Sequence, residues 1–253
     1  MATRSDAMLL TTDGLVLRET NYKDSDKILT VLTSDLGKIT VSARHGRANA
    51  SRVRAGTQLF AYSDFTLFLS KGRYSLNEAE PKELFLGLRS DILKLSLASY
   101  VAEVLEASAD EDAPTPGLLR TGLNTLFALA NDVKPMEQVK AAFELRLAGL
   151  LGYAPDLSGC SRCGESGRAE YAFSSDGQLV CRACAPDTRE AYPLSKRALD
   201  AMRFVQVADV AKFLSFSLPA DALAQFSRAC EGYFLAQMGT TFRALTFYRS
   251  LDP

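Results

Sequence analysis

The stretch DKILTVLTSDLGKITVSAR, residues 26–44, decides the fold of the N-terminal part of the chain. Its second half alternates strictly, because Ile39, Val41 and Ala43 fall on one side of an extended chain and polar or charged residues fall on the other. Its first half is another apolar run, and a short connection at residues 35–37 that ends in glycine separates the two runs. The pattern predicts a β-hairpin with one buried face.

Further extended segments flank this hairpin. An opening strand is predicted near residues 14–22, a long one lies within residues 58–70, and another follows a turn at Lys71 and Gly72. Five strands without an intervening helix are typical of a small antiparallel barrel. We therefore predict a β-barrel domain over residues 1–82.

Beyond Pro81 the apolar spacing becomes that of helices rather than strands. We predict helices at about residues 84–108, 119–130, 139–150, 194–205 and 220–238. A cysteine-containing insert at about residues 156–190 separates the third of these helices from the fourth. Residues 83–253 are thus predicted to form a helical domain, which makes the chain an α+β protein of two domains.

The insert contains two C-x-x-C pairs, formed by Cys160, Cys163, Cys181 and Cys184. Two residues between cysteines let a tight turn direct both sulfurs at one ion, and a β-hairpin turning at Asp176–Gly177 is predicted to bring the pairs together. The spacing predicts one structural zinc ion held by four thiolates. Rubredoxin-like iron in the same cage and disulfides are the alternatives. We interpret the fifth cysteine, Cys230, as an apolar residue on a buried helix face.

Composition narrows the class of protein. Among the 253 residues, 47% are hydrophobic, no run is long enough to span a membrane, and no secretory signal is recognised, which favours the cytoplasm. The single histidine, His45, excludes sites built on two histidines, and Gly46 and Arg47 follow it where a zinc deaminase needs an HxE motif. We interpret His45 as an exposed loop residue, with a catalytic base as the alternative, and we predict that the chain is not an enzyme.

The charge of the chain is distributed unevenly. The net charge is −1, yet residues 1–82 carry 12 Lys and Arg against 9 Asp and Glu, and residues 36–63 contain no acidic residue. Guanidinium groups in a loop of small residues are suited to phosphates. The candidate DNA-binding residues are Lys38, Arg44, Arg47, Arg52, Arg54, Lys71 and Arg73. An ordinary solvated surface is the alternative interpretation.

Aromatic residues accompany these cations. Phe60, Tyr62 and Phe68 share one parity along their strand, opposite Phe65 and Leu67. One set must face the barrel core, so members of the other set can be exposed as platforms for base stacking. Packing of these aromatic side chains inside the barrel or against the helices is the alternative.

Three stretches together resemble the RecO family of bacterial recombination mediators. Residues 20–52 are similar to the N-terminal signature of that family, and residues 143–164, FELRLAGLLGYAPDLSGCSRCG, are similar to its central signature. Tyr100 and Glu103 lie where the family has a helix with a YxxE-type motif. Two features depart from the family pattern: the loop ARHGRANAS is less basic than in many relatives, and some members lack the cysteines.

The resemblance implies an N-terminal OB-fold, and a helical domain that bears the zinc insert. It also implies binding of single- and double-stranded DNA, annealing of strands coated with single-stranded DNA-binding protein (SSB), and loading of RecA together with RecR, in the cytoplasm at the nucleoid. The SSB C-terminal tail is expected on the helical part, where Arg120, Lys140 and Arg146 are candidates. A zinc-containing protein-interaction module with the barrel as a scaffold is the alternative function.

Overall fold

The computed structural model describes residues 8–44, 53–184 and 191–251. The chain divides into two compact units, residues 1–126 and 127–253, and each is described by itself. The predicted domain boundary between residues 82 and 83 coincides with the end of the last barrel strand, and it stays a prediction.

Five strands form the N-terminal barrel. They are β1 (Met8–Tyr22), β2 (Asp26–Thr33), β3 (Lys38–Ala43), β4 (Tyr62–Ser70) and β5 (Arg73–Glu83). They follow one another around the barrel in the order β1-β2-β3-β5-β4, and β4 pairs again with β1. This is the five-stranded architecture of an OB-fold, as expected.

The hairpin predicted from residues 26–44 is confirmed. Val31 pairs with Ile39 and Leu29 with Val41, and these four side chains are buried in the barrel core. At the turn, the backbone N–H and the hydroxyl of Thr33 both donate to the carbonyl of Gly37, at 2.9 and 2.8 Å.

The barrel differs from the predicted all-antiparallel arrangement at one seam, where β3 and β5 pair in parallel. The other four pairings, β1 with β2, β2 with β3, β4 with β5 and β1 with β4, are antiparallel. Together they leave β3 and β5 running in the same direction. Side chains alternate between two faces in parallel and antiparallel strands alike, so the alternation gives no information on strand direction. β1 is also longer than predicted, because its first half pairs with β4 and its second half with β2.

A helical part follows the barrel. Its helices are α1 (Ile92–Ser108), α2 (Pro116–Ala130), α3 (Met136–Leu150), α4 (Lys196–Val207), α5 (Ala220–Met238) and α6 (Arg243–Leu251). Between α3 and α4 lie the insert strands β6 (Glu170–Phe173), β7 (Leu179–Cys181) and β8 (Tyr192–Ser195). Within the second unit, Phe143 of α3 and Phe226, Cys230 and Phe234 of α5 are fully buried, which confirms the interpretation of Cys230 as a core residue.

Two helix predictions need correction. The stripe that suggested one helix over residues 84–108 is interrupted, because Phe85 is left-handed and Asp91 is extended. Asp91 accepts a hydrogen bond from the N–H of Leu93 at 2.7 Å, so it caps a new helix. The apolar spacing also failed to indicate α6, which buries only Leu245 and Tyr248.

In the first unit, the segment after α1 lies against the start of β3. The N–H of Lys38 donates to the carbonyl of Asp110 at 3.1 Å, and the N–H of Asp112 donates to the carbonyl of Lys38 at 3.2 Å. Gly37 makes this approach possible, because a Cβ atom there would lie 2.3 Å from the carbonyl oxygen of Ala113. Gly37 also has a φ of +68°, which favours glycine.

The substitution Gly37→Ala is expected to lower the free energy of unfolding by about 2–5 kcal/mol, because left-handed strain adds to a backbone clash. Gly72→Ala is the matched control, since Gly72 has a φ of +70° but a Cβ atom there would meet nothing within 4 Å. The control is expected to lose only about 1–2 kcal/mol. Denaturant unfolding measures both variants, and equal losses would contradict the tight approach at Gly37.

Candidate metal centre and nucleic-acid interface

Two turns present the four cysteines of the insert. In the first, the N–H of Gly164 donates to the carbonyl of Cys160 at 2.8 Å, and Gly164 has a φ of +74°. In the second, the N–H of Cys184 donates to the carbonyl of Cys181 at 3.0 Å. Each turn therefore directs two sulfurs to the same side, as the C-x-x-C spacing predicted.

The hairpin between the two turns brings them together. β6 and β7 are antiparallel, and the chain reverses at Gly177, which has a φ of +89°, as predicted. The N–H of Ser161 donates to the carbonyl of Leu179 at 2.7 Å, and the guanidinium of Arg162 donates to the carbonyl of Cys184 at 2.6 Å. One backbone contact to β7 and one side-chain contact to Cys184 thus hold the first turn beside the second.

The sulfurs of Cys160, Cys163, Cys181 and Cys184 all lie within 4.8 Å of one another. A zinc ion at about 2.3 Å from four tetrahedral thiolates places the sulfurs about 3.8 Å apart. The sulfurs of Cys163 and Cys181 are 3.8 Å apart. All four cysteines are free thiols around a common centre, an arrangement that fits a metal ion rather than disulfides.

Hydrogen bonds within the cluster shift the pKa values of two of its thiols in opposite directions. Burial raises the pKa of Cys160, but N–H groups of Cys181, Cys163 and Arg162 that point at its sulfur lower the pKa to about 6. Hydrogen bonding to the sulfurs of Cys163 and Cys181 raises the pKa of Cys184 to about 12. A cation bound among four thiolates would replace these protons, since metals bind the deprotonated sulfur.

Helices α4 and α5 hold the segment that leads into the first cysteine turn. Arg203 donates to the carbonyl of Leu157 at 2.8 Å, and Gln206 donates to that of Pro155 at 2.8 Å. Tyr233 of α5 donates to the carbonyl of Tyr153 at 2.7 Å. Sequence reasoning missed these positioning residues, because they lie far along the chain and match no local motif.

The candidate DNA-binding residues fall into three groups. Arg44, Arg54, Lys71 and Arg73 are exposed on the first unit. Lys38 is half-buried, and its ammonium donates to the carbonyl of Glu106 at 2.9 Å near the end of α1. Arg47, Arg52 and the sole histidine, His45, lie outside the described residues. The contacts of this set with DNA stay a prediction.

The aromatic residues near these cations divide between core and surface. Phe60 and Phe65 are buried, whereas Tyr62 is half-buried and Phe68 is 40% exposed. Phe60 departs from the parity argument because it lies before β4 with a φ of +67°, so the alternation of the strand does not extend to it. Among these four aromatics, Phe68 therefore presents the largest surface to solvent.

The candidates for binding an acidic tail are arranged differently from expectation. Lys140 is buried in the second unit, where its ammonium lies 3.1 Å from Glu144 and 2.5 Å from Glu231. Arg146 donates to the carbonyls of Val205, Gln206 and Ala208 at the end of α4. Arg120 is exposed. Lys140 and Arg146 thus have structural partners, and the tail site stays a prediction.

Within the described ranges, the helices are all too short or too polar to cross a bilayer.

Comparisons with known proteins match almost the whole chain. A family model described as Recombination protein O N terminal matches residues 8–85, and one described as Recombination protein O C terminal matches residues 89–246. A DNA repair protein RecO from Acetivibrio thermocellus is 29% identical over 245 residues, which cover 96% of this chain and 97% of the relative. The protein of that name from Alkaliphilus metalliredigens is 37% identical over 178 residues, which cover 70% of this chain and 72% of the relative. The one from Symbiobacterium thermophilum is 30% identical over 248 residues, which cover 96% of this chain and 98% of the relative.

Removal of the metal by a strong chelator is expected to loosen the insert while the barrel stays folded, because the thiolate cage is confined to residues 160–184. Structural zinc contributes about 10–16 kcal/mol to the folding of small modules. Limited proteolysis and far-UV circular dichroism with and without chelator measure the change, and elemental analysis distinguishes zinc from iron.

Cys181→Ala is expected to abolish metal binding, and Cys230→Ala is the control that retains it. Metal retention by Cys181→Ala would contradict the four-thiolate cage.

Proposed function

The chain belongs to the RecO family of DNA repair proteins, and from this premise we propose that it binds single- and double-stranded DNA and anneals complementary strands. Together with RecR it would load RecA onto DNA coated with SSB. We propose residues 1–82 as the DNA-binding domain and residues 83–253 as the helical domain. We propose that DNA binding and annealing take place in the cytoplasm, at the nucleoid.

The observation that supports this proposal is the group of exposed cations on the barrel. Arg44, Lys71 and Arg73 are exposed, and within the described part of the chain no ion pair or hydrogen bond engages their side chains. Of these three, Arg44 lies within residues 36–63, an interval that contains no acidic residue. Such a surface attracts a polyanion and releases its counterions.

Annealing requires no bond to be broken. Two complementary strands repel each other through their phosphates, and a cationic surface that binds both strands lowers this repulsion while the bases pair. The role therefore needs neither a nucleophile nor a general base. We propose that the protein is a mediator and not an enzyme.

We propose zinc as the metal in the insert, with a structural role. Four thiolates close a tetrahedron and leave no open position for water or substrate, so the ion supplies rigidity rather than chemistry. The proposed partners in the helical domain are RecR and the acidic C-terminal tail of SSB. Of the three cations considered for that tail, Arg120 remains available at the surface.

A protein-interaction module is the second candidate function. It is favoured by exposed apolar side chains of the second unit, among them Tyr153, Val207 and Phe247. In that case the barrel is a scaffold, and its cations make no contact with DNA. Salt-dependent DNA binding by the purified protein separates the two functions.

The double variant Arg44→Ala/Arg73→Ala is expected to bind single-stranded DNA about tenfold more weakly or worse at low salt. Each lost phosphate contact removes about 0.7 from the slope of log K against log salt, so the slope should become shallower by about 1.4. Fluorescence anisotropy with a labelled oligonucleotide measures affinity and slope, and a pairing assay without nucleotide cofactor measures annealing.

Lys196→Ala/Arg197→Ala is the matched control, because it removes two exposed positive charges from the start of α4. We expect its affinity and slope to equal those of the wild type. An unchanged slope in Arg44→Ala/Arg73→Ala, or an equal loss in the control, would contradict the assignment of the barrel cations.

A further inference from the structure

The ring of Phe68 is exposed on the outer surface of the barrel. It lies in a row of uncharged side chains that runs across neighbouring strands. Along β4, Phe65 and Leu67 point into the core, whereas Phe68 points outward. On β1 its pairing partner is Leu9, which is 56% exposed, and on β5 its partner is Ser75. Phe68 thus has an apolar neighbour on one side and a small hydroxyl on the other.

The row continues onto a fourth strand. Ser75 pairs with Ser42 of β3 across the parallel seam, so Leu9, Phe68, Ser75 and Ser42 lie side by side on the outside of the barrel. Adjacent strands are about 4.8 Å apart, and Phe68 is therefore separated from Ser42 by about 10 Å of surface with only small side chains. A flat group about the size of a nucleobase can lie against the ring above this surface.

Cations stand on both sides of the row. Arg73 precedes Ser75 by two residues on β5, so it points to the same outer face, and its backbone is about 7 Å from the row along the strand. Arg44 is exposed and lies directly after the end of β3, two residues beyond Ser42. Lys71 lies at the nearby turn between β4 and β5.

Acidic side chains mark where this face ends. Glu78 pairs with Thr66, and Asp64 pairs with Glu80, further along β4 and β5 from the turn. Asp64 is neutralised in part by Lys82 at 2.9 Å. Lys71 and Arg73 therefore make the turn side of the row positively charged, whereas Arg44 lies on the side that also carries Glu78.

We propose that Phe68 is a stacking platform for a base of single-stranded DNA, with Arg73 and Arg44 binding the phosphates on either side. The inference rests on the DNA-binding function proposed above and identifies the strand form that this face accepts. Bases of a duplex are stacked on each other and are not available to a side chain on a barrel wall, whereas every unpaired base offers its flat face. Duplex DNA meets only the cations.

The chain contains no tryptophan, so Phe68→Trp introduces a single indole at this position. Addition of an unlabelled oligothymidylate is expected to quench its emission, because the indole stacks on a base as the phenyl ring does. A duplex of equal length should leave the emission largely unchanged while still binding. Phe247→Trp in α6 is the matched control, since Phe247 is 49% exposed and lies outside the barrel.

Phe68→Ala tests the contribution to affinity. We expect single-strand binding to weaken on the order of tenfold, with an unchanged salt slope because no charge is lost, and duplex binding to stay at the wild-type level. Phe68→Tyr is expected to restore the affinity, since it restores the ring. Thermal unfolding confirms that the variants are folded, as expected for a side chain outside the core.

The outcomes separate this inference from the function on which it rests. If the wild-type protein binds no DNA, the proposed function fails and the inference fails with it. If the wild type binds DNA but Phe68→Ala binds single strands equally well, only the inference is overturned. Indole emission that shifts with protein concentration in the absence of DNA would assign this face to a second copy of the chain and would likewise overturn it.

Discussion

The alternation of side chains along the barrel strands is the constraint on which both the core and the proposed interface depend. Because successive residues of a strand point to opposite faces, the burial of Val41 and Leu67 obliges Ser42 and Phe68 to point outward. The same residues that exclude water from the barrel thus place a ring and its neighbouring cations on the outer wall. A shift of one residue in register would bury those cations and expose the core.

In the cysteine cluster, the arrangement of the four sulfurs and the orientation of the whole insert depend on different contacts. The C-x-x-C turns and the β6–β7 hairpin bring four sulfurs within 4.8 Å through contacts inside the insert. The orientation of the insert depends instead on side chains of α4 and α5, such as Arg203 and Tyr233, which hold the backbone ahead of Cys160. An ion held by the four thiolates would join the two turns of the insert to each other, whereas these side chains of α4 and α5 attach the insert to the helices.

Positive charge on this chain serves two purposes that composition does not distinguish. Lys38 and Arg146 donate to backbone carbonyls at or near the ends of helices, and Lys140 is enclosed by two carboxylates. Arg44 and Arg73 remain exposed. The first group stabilises the fold by satisfying buried acceptors, and the second is available for phosphates. The residue type alone predicts neither role, because the role depends on which acceptors tertiary packing brings near.

The sequence by itself determined the strands around residues 26–44, the turn at Gly177 and the two C-x-x-C turns that present four cysteines to a common centre, because each depends on periodicity or spacing within a few residues. Tertiary structure decided the parallel pairing of β3 with β5 and the placement of Lys38 against α1. It also decided that Phe68 is exposed while Phe60 is buried. These features depend on partners distant in sequence, and no local pattern encodes which partner a strand edge or side chain will meet.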